Sequence, residues 1–303
     1  MQNQQQFLIE LNGNDEGPQA LIVAGVHGDE YEPMIAVMEL FQKLEGILAK
    51  GRVSLIACAN ETAYNAASRT GADGLDLARI CPGAPAGTVS EVAAFDLSER
   101  IRNCSHLVDL HTGGALFDLF PLCGYLLHPD PQVLDAQRQM AAAFNFPLVW
   151  GTDAAPDGRT LSVARDAGVP AVYVEYGGGN SVQETIVDAC VEGCLNVLDH
   201  LGMLTAGARE KKLSEVVYTV EDATPGGGFL QGKMVSASDG IFLPKVQVGA
   251  LVEKGEEWGV IYDPLLRQQR SVTADSSGLV LFLRRHPRVH PGDSLGGILP
   301  VNK

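Results

Sequence analysis

Apolar and polar positions divide the chain into two textures. Through the first two thirds, short runs rich in Val, Ile or Leu recur: QALIVAGV, RVSLIACA, HLVDLH, GYLLH, PLVWG and AVYVEY. Brief apolar runs of this kind read as buried strands. Between several of them lie amphipathic stretches at helical spacing. EPMIAVMELFQKLEGILAK carries Pro33 where a first helical turn accepts it. TVSEVAAFDLSERIRN opens with Thr88 and Glu91 at the spacing of a capping box. SVQETIVDACVEGCLNVLDHLGML is apolar at helical spacing. This alternation predicts an α/β fold with a mainly parallel or mixed sheet and helices on both faces.

From about residue 213 the texture changes to short strand-like runs, frequent glycines and no long helical pattern. Two segments resemble each other: GIFLPKVQVGALVEKGEEWGVI from Gly240, and GLVLFLRRHPRVHPGDSLGGIL from Gly278. Each runs from a glycine through an apolar strand and a basic turn to a closing Gly-Val-Ile or Gly-Ile-Leu. The pattern reads as a pseudo-repeat within a small all-β domain, similar to the barrel-sandwich fold of biotinyl and lipoyl carriers. Neither Lys245 nor Lys254 lies in a recognisable modification motif, so a domain that caps the first or builds a homo-oligomer interface is the preferred reading. The expected division is an α/β domain over residues 1–208 and a C-terminal β domain over 209–303.

Composition narrows the functional classes. A chain of 303 residues that is 46% apolar and 19% charged is ordinary for a globular protein. The formal net charge of -15 argues against nucleic acid and anionic membranes as partners. It leaves room for a few arginines gathered in one cleft around a small-molecule substrate. No basic stretch followed by an apolar core opens the chain, and no apolar run reaches the length of a membrane span. Six scattered cysteines with no Cys-x-x-Cys pair read as reduced thiols in a cytoplasmic protein. Cys190 and Cys194 share one face of a helix and read as small buried hydrophobes.

Candidate chemistry collects at the ends of the apolar runs. LIVAGVHGDEYEP places His27 just after a strand and Glu30 three residues on, a spacing that puts both side chains on one side if a helix starts there. Ligands in open α/β sheets bind at the carboxyl ends of strands. VDLHTGG supplies His111 at another such end, with Asp109 able to orient it. Two histidines and a glutamate form a known ligand set for a catalytic zinc that keeps one position open. The remaining histidines read as structural or solvated. AVYVEYGGG ends a strand with Glu175, and a carboxylate beside the metal suits a general base that later passes its proton to the leaving amine. Arg69 and Arg79 lie in a long, turn-rich segment, NETAYNAASRTGADGLDLARICPG. Such loops tend to be functional, and arginine suits carboxylates and oxyanions. No Gly-x-Ser-x-Gly elbow of a serine hydrolase is present.

Four motifs, in order, resemble the succinylglutamate desuccinylase/aspartoacylase family, relatives of the zinc carboxypeptidases. They are Gly-x-His-Gly-Asp-Glu at 25–30, Arg…Asp-Leu-x-Arg-x-x-Pro-Gly at 69–83, Asp-Leu-His-Thr-Gly at 109–113 and Glu-x-Gly-Gly-Gly at 175–179. The trailing β domain fits the same family. The resemblance implies a zinc-dependent amidohydrolase acting on a small N-acylated amino acid or related amine. It implies one zinc held by His27, Glu30 and His111, Glu175 as the catalytic glutamate, Arg69 polarising the scissile carbonyl and Arg79 gripping a substrate carboxylate. HGDEYE with VEYGGG looks most like the branch that deacetylates N-acetyl-diaminobutyrate. One position departs: Ala78 stands where the family often has Asn. That removes a donor from carboxylate recognition, a loss of about 1.5–3 kcal/mol for a bond to a charged group. A peptide hydrolase with the same centre, and a binding protein with a vestigial site, are the rival readings. The missing amide argues against the first, and the intact ligand set and base argue against the second.

Overall fold

The computed structural model describes residues 8–179, 181–210, 213–226, 228 and 234–301. The chain opens with β1 (Leu8–Asn12), β2 (Asp15–Val23), α1 (Tyr31–Leu44), β3 (Lys50–Ile56), α2 (Glu61–Asn65), α3 (Val89–Arg102), β4 (His106–His111) and β5 (Phe117–Leu126). It continues through α4 (Pro131–Phe144), β6 (Leu148–Thr152), α5 (Thr160–Ala167), β7 (Ala171–Gly178) and α6 (Glu184–His200). The last part is β8 (Tyr218–Asp222), β9 (Gly240–Pro244), β10 (Leu251–Val252), β11 (Glu257–Asp263), β12 (Gln268–Thr273), β13 (Gly278–Arg284), β14 (Arg288–Val289) and β15 (Gly296–Leu299).

Each apolar run in the first two thirds contributes to a strand, and the capping box forms: the Thr88 backbone N–H donates to the Glu91 carboxylate at 2.8 Å. Three helices lie outside the predicted elements, α2 within the turn-rich segment among them. α4 starts with Pro131 after an Asp130 cap, and α5 is only 8 residues long. The helix predicted over the metal turn begins at Tyr31, just after Glu30. His27 and Glu30 therefore approach each other across a tight turn rather than along a helical face.

β2, β3, β4 and β7 pair in parallel, with β1 antiparallel to β3 at one edge. β5 runs antiparallel to β7, then divides its edge: residues 117–119 pair with β13, and 122–126 pair in parallel with β6. The result is a mixed sheet of 11 strands. Alternation along β2 separates two cores. Ala20, Ile22 and Ala24 pack with α1, α4 and α6 on one face. Leu21 and Val23 pack with α3 and α5 on the other. Cys190 and Cys194 lie in the first core, and all six cysteines are unpaired. Burial pushes the Cys81 and Cys190 thiols up to about 12, so both are inert.

The C-terminal part is divided between two sheets. β12, β11, β9 and β14 form a separate four-stranded sheet. β13 instead carries β10 and β15 into the large sheet. The two repeat segments exchange strands: β14 of the second pairs with β9 of the first, and β10 of the first pairs with β13 of the second. Trp258 is fully buried in a core of its own with Phe242, Val280, Val289 and Ile298. No helix among the described residues is long and apolar enough to cross a membrane.

Candidate metal centre

The carboxyl ends of β2, β4 and β7 lie side by side, with Val23 opposite Asp109 and His111 opposite Glu175. His27 follows β2 in a turn that needs Gly28. A Cβ there would stand 1.9 Å from the backbone carbon of Ala63 in α2. α2 is capped by Asn60, which accepts the Ala63 N–H. Asp29, between the two candidate ligands, accepts the Ala115 N–H at 3.0 Å and ties this turn to the β4–β5 connection.

Glu30 is the hub. Its Oε1 lies 2.7 Å from His27 Nδ1, its Oε2 lies 3.0 Å from His111 Nδ1, and it also accepts the Thr112 N–H at 3.3 Å. Ligand atoms of the three side chains all fall within 4.8 Å of one another, and all three residues are buried. The second nitrogen of each ring has its own carboxylate: Asp76 Oδ1 at 3.1 Å from His27 Nε2, and Asp109 Oδ2 at 3.1 Å from His111 Nε2. Asp109 in turn accepts the Thr160 hydroxyl. Carboxylates behind histidines are the usual way metal-ligating rings are fixed in orientation and tautomer. The donor set therefore fits a dication of zinc type: two imidazole nitrogens and one carboxylate, each backed by a second partner.

Electrostatics agree with an anionic, cation-seeking centre. Burial opposes charge on both rings, but Glu30 with Asp76 raises His27, and Asp109 with Glu30 raises His111 well above the usual histidine range. Burial likewise opposes charge on Glu30, yet the two rings hold its carboxyl far below the usual carboxylate range. Glu175 behaves oppositely. Burial pushes it up to about 7, and Glu30 adds to this, while His111, His27 and Arg69 pull it down.

Beside the centre opens a cavity of about 320 Å³, lined in part by His27, His111, Glu175 and three arginines, Arg69, Arg79 and Arg159. Arg69 donates from Nε to Asp76 Oδ2 at 2.9 Å, and its terminal nitrogen stands 3.9 Å from Glu30. Asp76 also caps the 3-10 turn Leu77–Arg79 by accepting the Ala78 N–H at 2.9 Å. One aspartate thus joins a candidate ligand to both motif arginines. Ala78 is buried and lines the cavity, and Arg79 donates to its carbonyl.

Arg159 carries no motif in the sequence and was not among the candidates. It reaches the cavity because the Asp157-Gly158 turn packs onto the 79–81 segment. Gly158 has φ +82°, and a Cβ on it would stand 2.4 Å from the Arg79 carbonyl oxygen. The Cys81 N–H donates to the Gly158 carbonyl at 3.1 Å. The buried Nε of Arg159 has no hydrogen-bond partner in the protein. A chain of net negative charge thus gathers three arginines, Arg69, Arg79 and Arg159, around one cavity.

Residues 16–201 match the model of the succinylglutamate desuccinylase/aspartoacylase catalytic domain. The chain belongs to this family. Membership makes it a deacylase by reaction class. Over 294 residues it is 30% identical to the N-alpha-acetyl-L-2,4-diaminobutyric acid deacetylase of Halomonas elongata, covering 94% of this chain and 83% of the relative. The product-bound ectoine utilization protein EutE (DoeB) of Ruegeria pomeroyi superposes with a TM-score of 0.85 at 29% identity, covering 96% of this chain and 87% of that one. A succinylglutamate desuccinylase/aspartoacylase of Rhodobacter sphaeroides superposes with a TM-score of 0.84 at 26% identity, over 97% and 89% of the two chains. The family match ends near the end of α6, before β8.

Proposed function

We propose that the chain is a zinc-dependent deacylase that hydrolyses the amide bond of a small N-acylated amino acid or related amine. The observation that carries this reading is the convergence of His27, Glu30 and His111 with Glu175 directly across the strand pair. His27, Glu30 and His111 would hold the metal. When bound, zinc supplies a Lewis acid that polarises a carbonyl and lowers the pKa of water from about 15.7 towards about 7.

The protein's own groups do the rest. Glu175, buried and raised towards neutrality, takes a proton from the attacking water and returns it to the leaving amine. Arg69, fixed by Asp76, faces the carbonyl oxygen as negative charge develops on it. Arg79 and Arg159 hold an anionic group of the substrate. Together they offer two guanidinium forks, which compensates for the amide missing at Ala78. The same reading assigns residues 1–208 to the hydrolase unit and 209–303 to a β unit that walls one side of the cavity through Leu281 and Phe282.

The test is hydrolysis of a panel of N-acyl amino acids, including N-acetyl-diaminobutyrate, by zinc-loaded and chelator-stripped protein. Activity that depends on zinc and is restored by adding it supports the reading. Full activity after thorough chelation contradicts it.

A further inference from the structure

Part of the cavity wall is hydrocarbon. Leu122, Leu126, Trp150, Tyr173, Leu281 and Phe282 line it. All but Tyr173 are core side chains, none more than 5% exposed. They stand on β5, β6, β7 and β13, four strands joined by ladder pairing, so the wall is fixed by backbone rather than by loops.

An acetyl group has two carbons and leaves most of such a wall uncovered. A charged group placed against it would lose its water and meet no counter-charge among these six residues. We propose that this apolar part of the cavity wall is a hydrocarbon subsite: the substrate carries an apolar group of several carbons against it. The inference rests on the deacylase reading and sharpens its substrate class. Either the acyl chain or the side chain of the amine can deliver the same apolar group, and the experiment separates the two.

Zinc-loaded protein is assayed on two series. N-acetylated alanine, 2-aminobutyrate, norvaline and norleucine lengthen the amine side chain. N-acetyl-, N-butanoyl- and N-hexanoylglycine lengthen the acyl group. One series is expected to gain about fourfold in kcat/KM for each added methylene, the ratio that corresponds to burying one methylene, about 0.8 kcal/mol. Flat or falling rates in both series, with hydrolysis still measurable, overturn the subsite and leave the deacylase reading standing.

If neither series is hydrolysed but N-acetyl-diaminobutyrate is, the subsite is overturned and the deacylase reading stands; if none of these substrates is hydrolysed, the deacylase reading fails and binding decides the subsite separately. Hexanoate and norleucine are titrated into the protein while tryptophan emission is followed. They are expected to shift the emission where acetate and alanine do not, and the shift is expected to vanish in Trp150→Phe, which leaves Trp258 as the only indole. No shift with either long ligand overturns the subsite.

Discussion

Replacing Asp76 with Asn tests how the centre is held. The aspartate engages His27 Nε2 at 3.1 Å, Ala78 N–H at 2.9 Å and Arg69 Nε–H at 2.9 Å. Its side chain is 18% exposed, so these contacts are largely shielded from water. Asn keeps one acceptor oxygen. With that oxygen towards His27 and Ala78, the new NH2 faces Arg69 Nε, and two donors oppose each other. A hydrogen bond to a charged group is worth about 1.5–3 kcal/mol, so freeing Arg69 lowers kcat/KM by roughly 10- to 150-fold. His27 also loses an anionic partner, and changes of this kind behind a metal-ligating histidine cost about 10- to 100-fold in metal affinity. Zinc Kd is measured by competition with a chromophoric chelator, kcat/KM at saturating zinc, and Tm as a control for folding. A folded Asp76→Asn protein with zinc Kd and kcat/KM unchanged would refute the role given to Asp76.

Three further outcomes are expected. Arg159→Ala raises KM about 10- to 100-fold for substrates with a free carboxylate, with kcat little changed and the corresponding carboxamides unaffected, since a charged hydrogen bond of about 1.5–3 kcal/mol is lost. Equal losses on acid and carboxamide would remove Arg159 from carboxylate recognition. Glu175 works as a base only when ionised, so kcat/KM falls as pH drops through its pKa. Burial sets that pKa at about 7 without metal, against an ordinary 4.5, and a nearby dication favours the ionised form. The acid limb of zinc-loaded protein therefore lies between those values, and a profile flat down to about pH 4 would contradict the assignment. Gly28→Ala drives a Cβ into the α2 backbone and displaces the His27 turn, so zinc affinity drops while far-UV circular dichroism shows the fold retained. Retained affinity would show that the turn tolerates a side chain.

The sequence made most of the α/β sheet legible because buried strands there are short, apolar and flanked by turn residues. The chemistry was legible for a related reason. His27, His111 and Glu175 each sit at the end of such a run, so a strand boundary also marks a site position. α5 escaped because 8 residues give too little periodicity, although its Arg159 flank turns out to face the cavity. Arg159 itself is brought to Arg79 by the close approach of Gly158, a tertiary contact with no local signature. The C-terminal region read as strands, but how those strands distribute could not be read. β13 joins β5 across more than 150 residues of chain, and pairing partners at that separation leave no periodic mark. Asp76 lay within a recognised motif, yet its three-way grip depends on the fold bringing His27 to it.

The most direct test of the account is made on Glu175→Gln. Zinc content is measured by elemental analysis alongside hydrolysis of the best N-acyl amino acid substrate. The account predicts close to one zinc per chain in both proteins, with the variant slower by roughly 10²- to 10⁴-fold, the usual contribution of a positioned acid–base group. Parent-level hydrolysis by zinc-loaded Glu175→Gln, or a parent protein that hydrolyses at full rate with no zinc bound, would contradict it.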